Sequence, residues 1–350
     1  MEMNEFILEV SGYNLDFRNS ISEIKRNNYK KVLLQFPEGL KTKLKDIVSF
    51  LESKANCDFI ISADPCFGAC DLFYSEISDL KVDCVVQLGH LPMLSIKKFN
   101  VQTFFVNAES NIDISKIVEK TIPKLKGKKI GLLTTAQHVH FLKSAGEILE
   151  KNGFEYLFEK GDNRIYSKGQ ILGCNFSSAL KIKDKVDCFL YIGSGNFHPL
   201  GLILSTKKPV IVCDPFSNEI RTNELEELKD MILRQRYGAI ARSKDAKTFG
   251  IIVGLKVGQR RIDLANKLKE KINSKHKKAF IFTSNNFIPS NLESFRDINC
   301  FVSTACPRIA IDDYMQYKIP ILTPIELDIL LGFKKWDDYQ FDEIFIKNTK

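Results

Sequence analysis

Gly68-Ala69-Cys70 is followed by Lys81-Val82-Asp83-Cys84, and Gly173-Cys174 by Lys185-Val186-Asp187-Cys188. Cys70 precedes Cys84 by 14 residues, and Cys174 precedes Cys188 by the same 14. Each second cysteine opens an apolar run ending in glycine: Cys84-Val85-Val86-Gln87-Leu88-Gly89 and Cys188-Phe189-Leu190-Tyr191-Ile192-Gly193. An identical tetrapeptide in an identical register marks a repeated α/β unit. Each copy sets one cysteine at the same topological point.

Working outward, the first copy contains strand-like runs at 31–36, 58–63, 84–88 and 103–106, and the second at 129–134, 155–158, 188–192 and 209–213. A third round follows at 250–253, 279–282, 300–303 and 320–323. Helical stretches alternate with these runs. Continuous apolar strands between helices indicate βαβ units and a parallel sheet covered on both faces. The expected fold is α/β: three similar Rossmann-like parallel-sheet domains around a central cleft, with pseudo-threefold symmetry. Their expected limits are 1–109 (with an N-terminal arm over 1–29), 110–216, and 217–350, the last with a helical connector over 219–241 and a C-terminal tail. Helices are expected from Cys70 to about Leu80, from Cys174 onward, and over 312–317.

In open α/β sheets, ligands bind beyond the carboxyl ends of the strands. The repeat places Cys70 and Cys174 there. In the third round, Ser303-Thr304-Ala305-Cys306-Pro307-Arg308 leaves a strand with a cysteine at its tip. Cys306 follows the third strand of its domain rather than the second, so its equivalence is not strict. Its rival, Cys300, lies at the buried start of that strand. Three thiolates from three domains suit an iron–sulfur cluster with one iron left open. Cys57, Cys84, Cys188, Cys213 and Cys300 read as small core residues. Cys66 and Cys70 are four apart and could share a helix face, but the repeat register selects Cys70.

Gln35, Gln137 and Gln259 each lie at the end of a domain's first strand, where ordinary turn chemistry accounts for them equally well. Gly193-Ser194-Gly195-Asn196-Phe197-His198 follows a strand, and its glycines allow backbone amides to approach a ligand closely. The glycine spacing does not match the dinucleotide fingerprint.

The chain has 350 residues, 44% of them hydrophobic, with Lys+Arg 51 against Asp+Glu 43 and a net charge of +8. The basic residues are dispersed, which reads as a solvated surface suited to an acidic protein partner rather than a nucleic-acid groove. No apolar run approaches the ~18 residues of a membrane span. The acidic start, Met1 to Val10, lacks the basic flank of a signal peptide. A cytoplasmic location is expected, where nine cysteines are more naturally core residues or ligands than disulfides.

Six longer stretches carry a family resemblance. They are Leu34-Gln35-Phe36-Pro37-Glu38-Gly39-Leu40, Ala63-Asp64-Pro65-Cys66-Phe67-Gly68-Ala69-Cys70-Asp71, Gly169-Gln170-Ile171-Leu172-Gly173-Cys174-Asn175, Gly193-Ser194-Gly195-Asn196-Phe197-His198-Pro199, Asp245-Ala246-Lys247-Thr248-Phe249-Gly250, and Ala305-Cys306-Pro307-Arg308. With them the chain closely resembles the archaeal diphthamide biosynthesis enzymes of the 2-(3-amino-3-carboxypropyl)histidine synthase family. The resemblance implies a 4Fe–4S cluster on Cys70, Cys174 and Cys306, and S-adenosyl-L-methionine as co-substrate on the open iron. It implies release of a 3-amino-3-carboxypropyl radical that adds to C2 of a histidine of translation elongation factor 2. The usual radical enzymes of this co-substrate carry a local Cys-x3-Cys-x2-Cys motif, which this chain lacks. On this reading Gly193, Gly195, Asn196, Phe197, His198, Gly258, Gln259 and Gln35 hold the co-substrate, in a nearly neutral site of thiolates and backbone dipoles. The resemblance also implies a homodimer and an external reductant of unknown identity. Alternatives are a dehydratase resembling quinolinate synthase, also three domains with three cysteines, and a catalytically silent partner subunit. A nucleic-acid binder finds no supporting motif.

Overall fold

A computed structural model describes residues 5–72, 77–93 and 101–345. Three sheets, each built on four parallel strands, carry the chain, and those parallel strands share one order. Numbered along the chain within each sheet, the order is second, first, third, fourth. The first sheet uses Lys31–Gln35, Asp58–Ile61, Cys84–Leu88 and Gln102–Val106; the second uses Lys129–Thr134, Glu155–Leu157, Cys188–Ile192 and Val210–Asp214; the third uses Thr248–Gly254, Lys278–Ser284, Cys300–Ser303 and Ile321–Leu322. The third strand of each sheet is buried along its whole length and mostly apolar, as covering on both faces requires.

The repeat has a structural cause. Asp83 Oδ2 accepts hydrogen bonds from the backbone N–H groups of Lys30 and Lys31 at 2.6 and 2.9 Å, and Asp187 Oδ2 accepts from Lys128 and Lys129 at 2.7 and 2.9 Å. Asn299 Oδ1 does the same for Lys247 and Thr248, at 3.1 and 3.0 Å. The residue before the third strand thus pins the start of the first strand in every sheet. The cysteine that follows it is fully buried each time, opposite Val32, Ile130 and Phe249 in turn. Cys300 is therefore the third counterpart of Cys84 and Cys188, a core residue. Cys306 leaves the opposite end of the same strand.

Three local expectations are corrected. Glu219–Arg221 is a strand, antiparallel to Val210–Asp214, so the connector helix begins only at Asn223 and runs to Arg242. Within the N-terminal arm, Ile7–Val10 and Tyr13–Asp16 form a hairpin that pairs with Ala108–Ser110, and a helix spans Arg18–Arg26. After Cys174 the helix starts at Ser177. The expected 312–317 helix is split into Arg308–Ile311 and a 3-10 turn over Tyr314–Gln316. Part of the helix expected between Cys70 and Leu80 lies outside the described residues, and Ile77–Leu80 is helical.

Candidate metal centre

Cys70 sits in a loop after the second strand of the first sheet. Gln87, buried in the neighbouring third strand, donates from Nε2 to Cys66 Sγ at 3.3 Å and to the Gly68 carbonyl at 3.2 Å. Cys66 is thereby tied into the loop, and burial, then the charge of Asp71, pushes its thiol up to about 12. Cys70 instead faces the third sheet. Gly258 N donates to the Cys70 carbonyl at 3.1 Å, and Gln259 Nε2 to its Sγ at 3.5 Å. A Cβ on Gly258 would fall 2.3 Å from Cys70 Cβ, so this close approach requires glycine. Beside it, Lys256 Nζ and Asp71 Oδ2 form a buried ion pair at 2.6 Å that joins the first and third units.

Cys174 is held by the C-terminal segment, which carries no motif in the sequence. Ile344 N donates to the Cys174 carbonyl at 2.7 Å, and Asn175 Nδ2 donates to the Ile344 carbonyl at 3.0 Å. Two residues earlier, Asp342 pairs with Arg261 at 2.6 Å. The same guanidinium donates to the carbonyls of Thr304 at 2.7 Å and Ala305 at 3.1 Å, immediately before Cys306. One short strap therefore connects the Cys174 and Cys306 loops.

Cys70 and Cys306 both lie within Coulombic range of Cys174. Burial raises Cys70 to about 11, with Cys174 the next contributor; burial raises Cys306 to about 12, followed by Cys174 and Cys70. Yet among the described residues no three His, Cys, Asp or Glu side chains converge closely enough for one metal ion. A tetrahedral sulfur site would need S···S separations of ~3.8 Å, given Zn–S bonds near 2.3 Å.

The expectation of a nearly neutral site is corrected. Arg164 Nη2 lies 3.6 Å from Cys174 Sγ, and the charge of Arg164 also favours the Cys70 thiolate. Burial pulls the Arg261 pKa down, but Asp342, and after it the Cys174 and Cys306 thiols, outweigh that and raise it. These cations suit an anionic group, since charge and hydrogen bonds at the sulfurs tune such clusters. Neither arginine carries a motif; each is one of 51 Lys and Arg residues in the sequence.

The Gly193–His198 loop adjoins Cys174. Gly173 lies so close to the Phe197 ring that a Cβ would come within 2.7 Å of it, and within 3.6 Å of His198 Nε2. Arg308, two residues after Cys306, lies 4.8 Å over the Phe197 ring and so ties this loop to the third unit. Gly193 and Gly195 have φ of +149° and +74°, and Asn196 precedes the helix Phe197–Thr206. His198 stacks on Tyr191 with ring centroids 6.4 Å apart; burial, then the charge of Arg308, lowers it to about 4, so it is neutral. A cavity of ≈ 320 Å³ between the first and second units is lined by His90, Gln137, His138, Tyr191, His198 and Phe216. Gln35 is buried with its Oε1 unpartnered but does not line that cavity. Gln137 donates from Nε2 to the Gly89 carbonyl at 3.1 Å, and His140 Nε2 is 3.0 Å from the Ser110 carbonyl.

The family model of diphthamide synthesis proteins matches residues 36–340. The chain belongs to the diphthamide synthesis protein family. Among its relatives, the 2-(3-amino-3-carboxypropyl)histidine synthase of Pyrococcus horikoshii is 38% identical over 326 residues, 93% of this chain and 92% of that protein. The synthase of the same name from Methanocaldococcus jannaschii is 30% identical over 95% of this chain and 93% of its own. The crystal structure of Dph2 from Pyrococcus horikoshii with a 4Fe–4S cluster is similar at a TM-score of 0.86 and 36% identity, over 97% of this chain and 94% of that one. This diphthamide synthesis family member also has eukaryotic relatives named as subunit 1 of the synthase, including one from Caenorhabditis elegans at 27% identity over 92% of the chain.

Proposed function

We propose that this chain is a 3-amino-3-carboxypropyltransferase that takes S-adenosyl-L-methionine and modifies a histidine of translation elongation factor 2, the first step of diphthamide formation. The observation that carries this reading is the tying together of three cysteine loops, one from each parallel-sheet unit: Gly258 against Cys70, Ile344 against Cys174, and Arg261, paired with Asp342, on the carbonyls just before Cys306. These three thiolates would hold a 4Fe–4S cluster, in the central cleft of units 1–109, 110–216 and 217–350 arranged with pseudo-threefold symmetry. Such a cluster would supply the electron that cleaves a carbon–sulfur bond of the sulfonium, releasing methylthioadenosine and a 3-amino-3-carboxypropyl radical, and imidazole C2 would take up that radical with loss of its proton and return of one electron.

The chain's own residues orient and shield. Gln259 and Arg164 donate toward the sulfurs of Cys70 and Cys174. Gly193, Gly195, Asn196, Phe197 and His198, with Gly258, Gln259 and Gln35, hold the co-substrate. A neutral His198 there adds no cation against a sulfonium. Phe197, wedged between Gly173 and Arg308, keeps water from one side of Cys174. The reading includes a homodimer, a cytoplasmic setting and an external reductant; among the described residues no helix is long and apolar enough to cross a membrane.

The test is anaerobic purification, reduction with dithionite, and addition of S-adenosyl-L-methionine with the elongation factor. A brown chromophore, methylthioadenosine as product and a modified histidine are expected. Cys70→Ala, Cys174→Ala and Cys306→Ala each reduce product formation to background. Release of 5′-deoxyadenosine instead, or a chromophore intact in all three variants, sinks the reading.

A further inference from the structure

The cations around the three cysteines differ in one respect. Lys256 is paired with Asp71 at 2.6 Å, Arg261 with Asp342 at 2.6 Å, and Arg308 with Asp312 at 2.9 Å. Arg164 has no such carboxylate among the described residues. It is only 4% exposed. Its Nη2 reaches Cys174 Sγ at 3.6 Å and Met93 Sδ at 3.9 Å, both weak acceptors, and its buried Nε has no partner. Its position is fixed through its own backbone, whose N–H donates to Asp162 Oδ1 at 2.9 Å. Asp162 in turn accepts from Asn175, next to Cys174.

A buried guanidinium without a counter-charge costs several kcal/mol, on the order of what breaking a buried ion pair costs. Such a group is retained where an anion completes it. The anion must meet Nε and Nη2 beside Cys174 and lie within Coulombic range of Cys70.

We propose that Arg164 is the dedicated counter-charge of the thiolate-bound cluster, a positioning residue that stabilises the reduced, more negative state of the group held by Cys70, Cys174 and Cys306. The inference rests on reading those cysteines as cluster ligands. A positive charge fixed beside the sulfurs raises the reduction potential, because charge and hydrogen bonding at the sulfurs are principal determinants of it. Arg164 differs in this from Arg261, whose charge is already met by Asp342.

The experiment compares the full-length parent chain with Arg164→Met and Arg164→Lys, each prepared iron-free and after anaerobic reconstitution with ferrous iron and sulfide. Three quantities are read: midpoint potential by EPR-monitored reductive titration, thermal unfolding of the iron-free chain, and affinity for S-adenosyl-L-methionine. In Arg164→Met the reduction equilibrium shifts at least tenfold toward the oxidised form, ~59 mV for one electron, and Arg164→Lys recovers most of the shift. Iron-free Arg164→Met unfolds at the same or a higher temperature than the iron-free parent, since an unmet buried charge is gone. Iron uptake lost in Arg164→Met but kept in Arg164→Lys also supports the charge role; uptake lost in both overturns it. An unchanged potential overturns it, as does a lowered unfolding temperature in the iron-free chain, which marks a structural arginine. So does a normal potential with weakened co-substrate affinity, which makes a carboxylate of that molecule the anion. If the parent itself takes up no iron, the cluster reading fails, and the iron-free unfolding comparison still decides whether Arg164 is unpaired.

Discussion

The two edges of each sheet, where strands begin and where they end, follow different rules. At the amino end the three units agree: Asp83, Asp187 and Asn299 pin the first strand, and Cys84, Cys188 and Cys300 are buried behind them. At the carboxyl side they diverge. Cys70 and Cys174 follow second strands and Cys306 follows a third strand. Their supports differ as well: Gly258 and Gln259 for Cys70, the C-terminal segment and Arg164 for Cys174, and Arg261 for the carbonyls before Cys306. What repeats in this chain is scaffold, and what is specific to one unit is the site. The cysteines behind the pinning residue are core in all three units, whereas Cys70, Cys174 and Cys306 meet neighbours that differ from unit to unit.

Gly258→Ala strikes the divergent side hardest. The new methyl would meet Cys70 Cβ at 2.3 Å and Cα at 2.6 Å, and backbone cannot yield as a flexible side chain can. The Cys70 loop must move, taking the Gln259 contact with it. Anaerobic reconstitution of the variant is expected to leave most chains without iron, while urea unfolding of the iron-free protein shifts by only ~1–3 kcal/mol, the usual cost of overpacking. Full iron content in Gly258→Ala would mean that Cys70 tolerates displacement.

Gly131→Ala makes the reverse case on the scaffold side. Gly131 pairs across strands with Phe189, and Gly250 with Phe301; at the same register the first unit has Leu33 opposite Val85. A Cβ on Gly131 would lie 2.4 Å from the Phe189 ring. The units fill one layer by opposite divisions of volume, nothing plus phenylalanine or leucine plus valine. Gly131→Ala is expected to lower stability by ~1–3 kcal/mol with iron content unchanged. Gly131→Leu combined with Phe189→Val, the first unit's solution, is expected to cost less than Gly131→Leu alone. Equal costs in chemical denaturation would refute that equivalence.

The same contrast separates what is legible in the amino-acid sequence from what is not. The Val-Asp-Cys identity exposes two units, because the strand-pinning carboxylate and the buried thiol recur at fixed spacing. The third copy, Ile298-Asn299-Cys300, is hidden because it keeps the chemistry of an oxygen acceptor and a small core residue without keeping the letters. The parallel strands are legible from their unbroken apolar runs. Arg164, Arg261 and the Asp342–Ile344 strap are not. Their partners lie 10 to 169 residues away along the chain, and no local period signals such contacts. Glu219–Arg221 reads as helix because its charges continue into the helix that follows, while its pairing with Val210–Asp214 is a tertiary fact.

The smallest effect tests the agreement at the amino end. Asp187 is held below its usual range by the hydrogen bonds from the Lys129 and then the Lys128 backbone. Its folded form therefore binds a proton less readily than the unfolded chain, whose aspartates titrate near ~3.9. The resulting stability is present above that pH and is lost as pH falls through the lower folded value. Asn299 performs the same task in the third unit with a side chain that does not titrate. Asp187→Asn copies that solution into the second unit. At pH 7 the variant is expected to melt slightly below the parent, and the gap should begin to close as the pH falls below the ordinary aspartate value of ~3.9 and vanish once it has passed the lower folded value of Asp187. A gap that stays constant down to about pH 3, well under the ordinary aspartate value, would mean that the oxygen acceptor alone, and not its charge, pins the first strand.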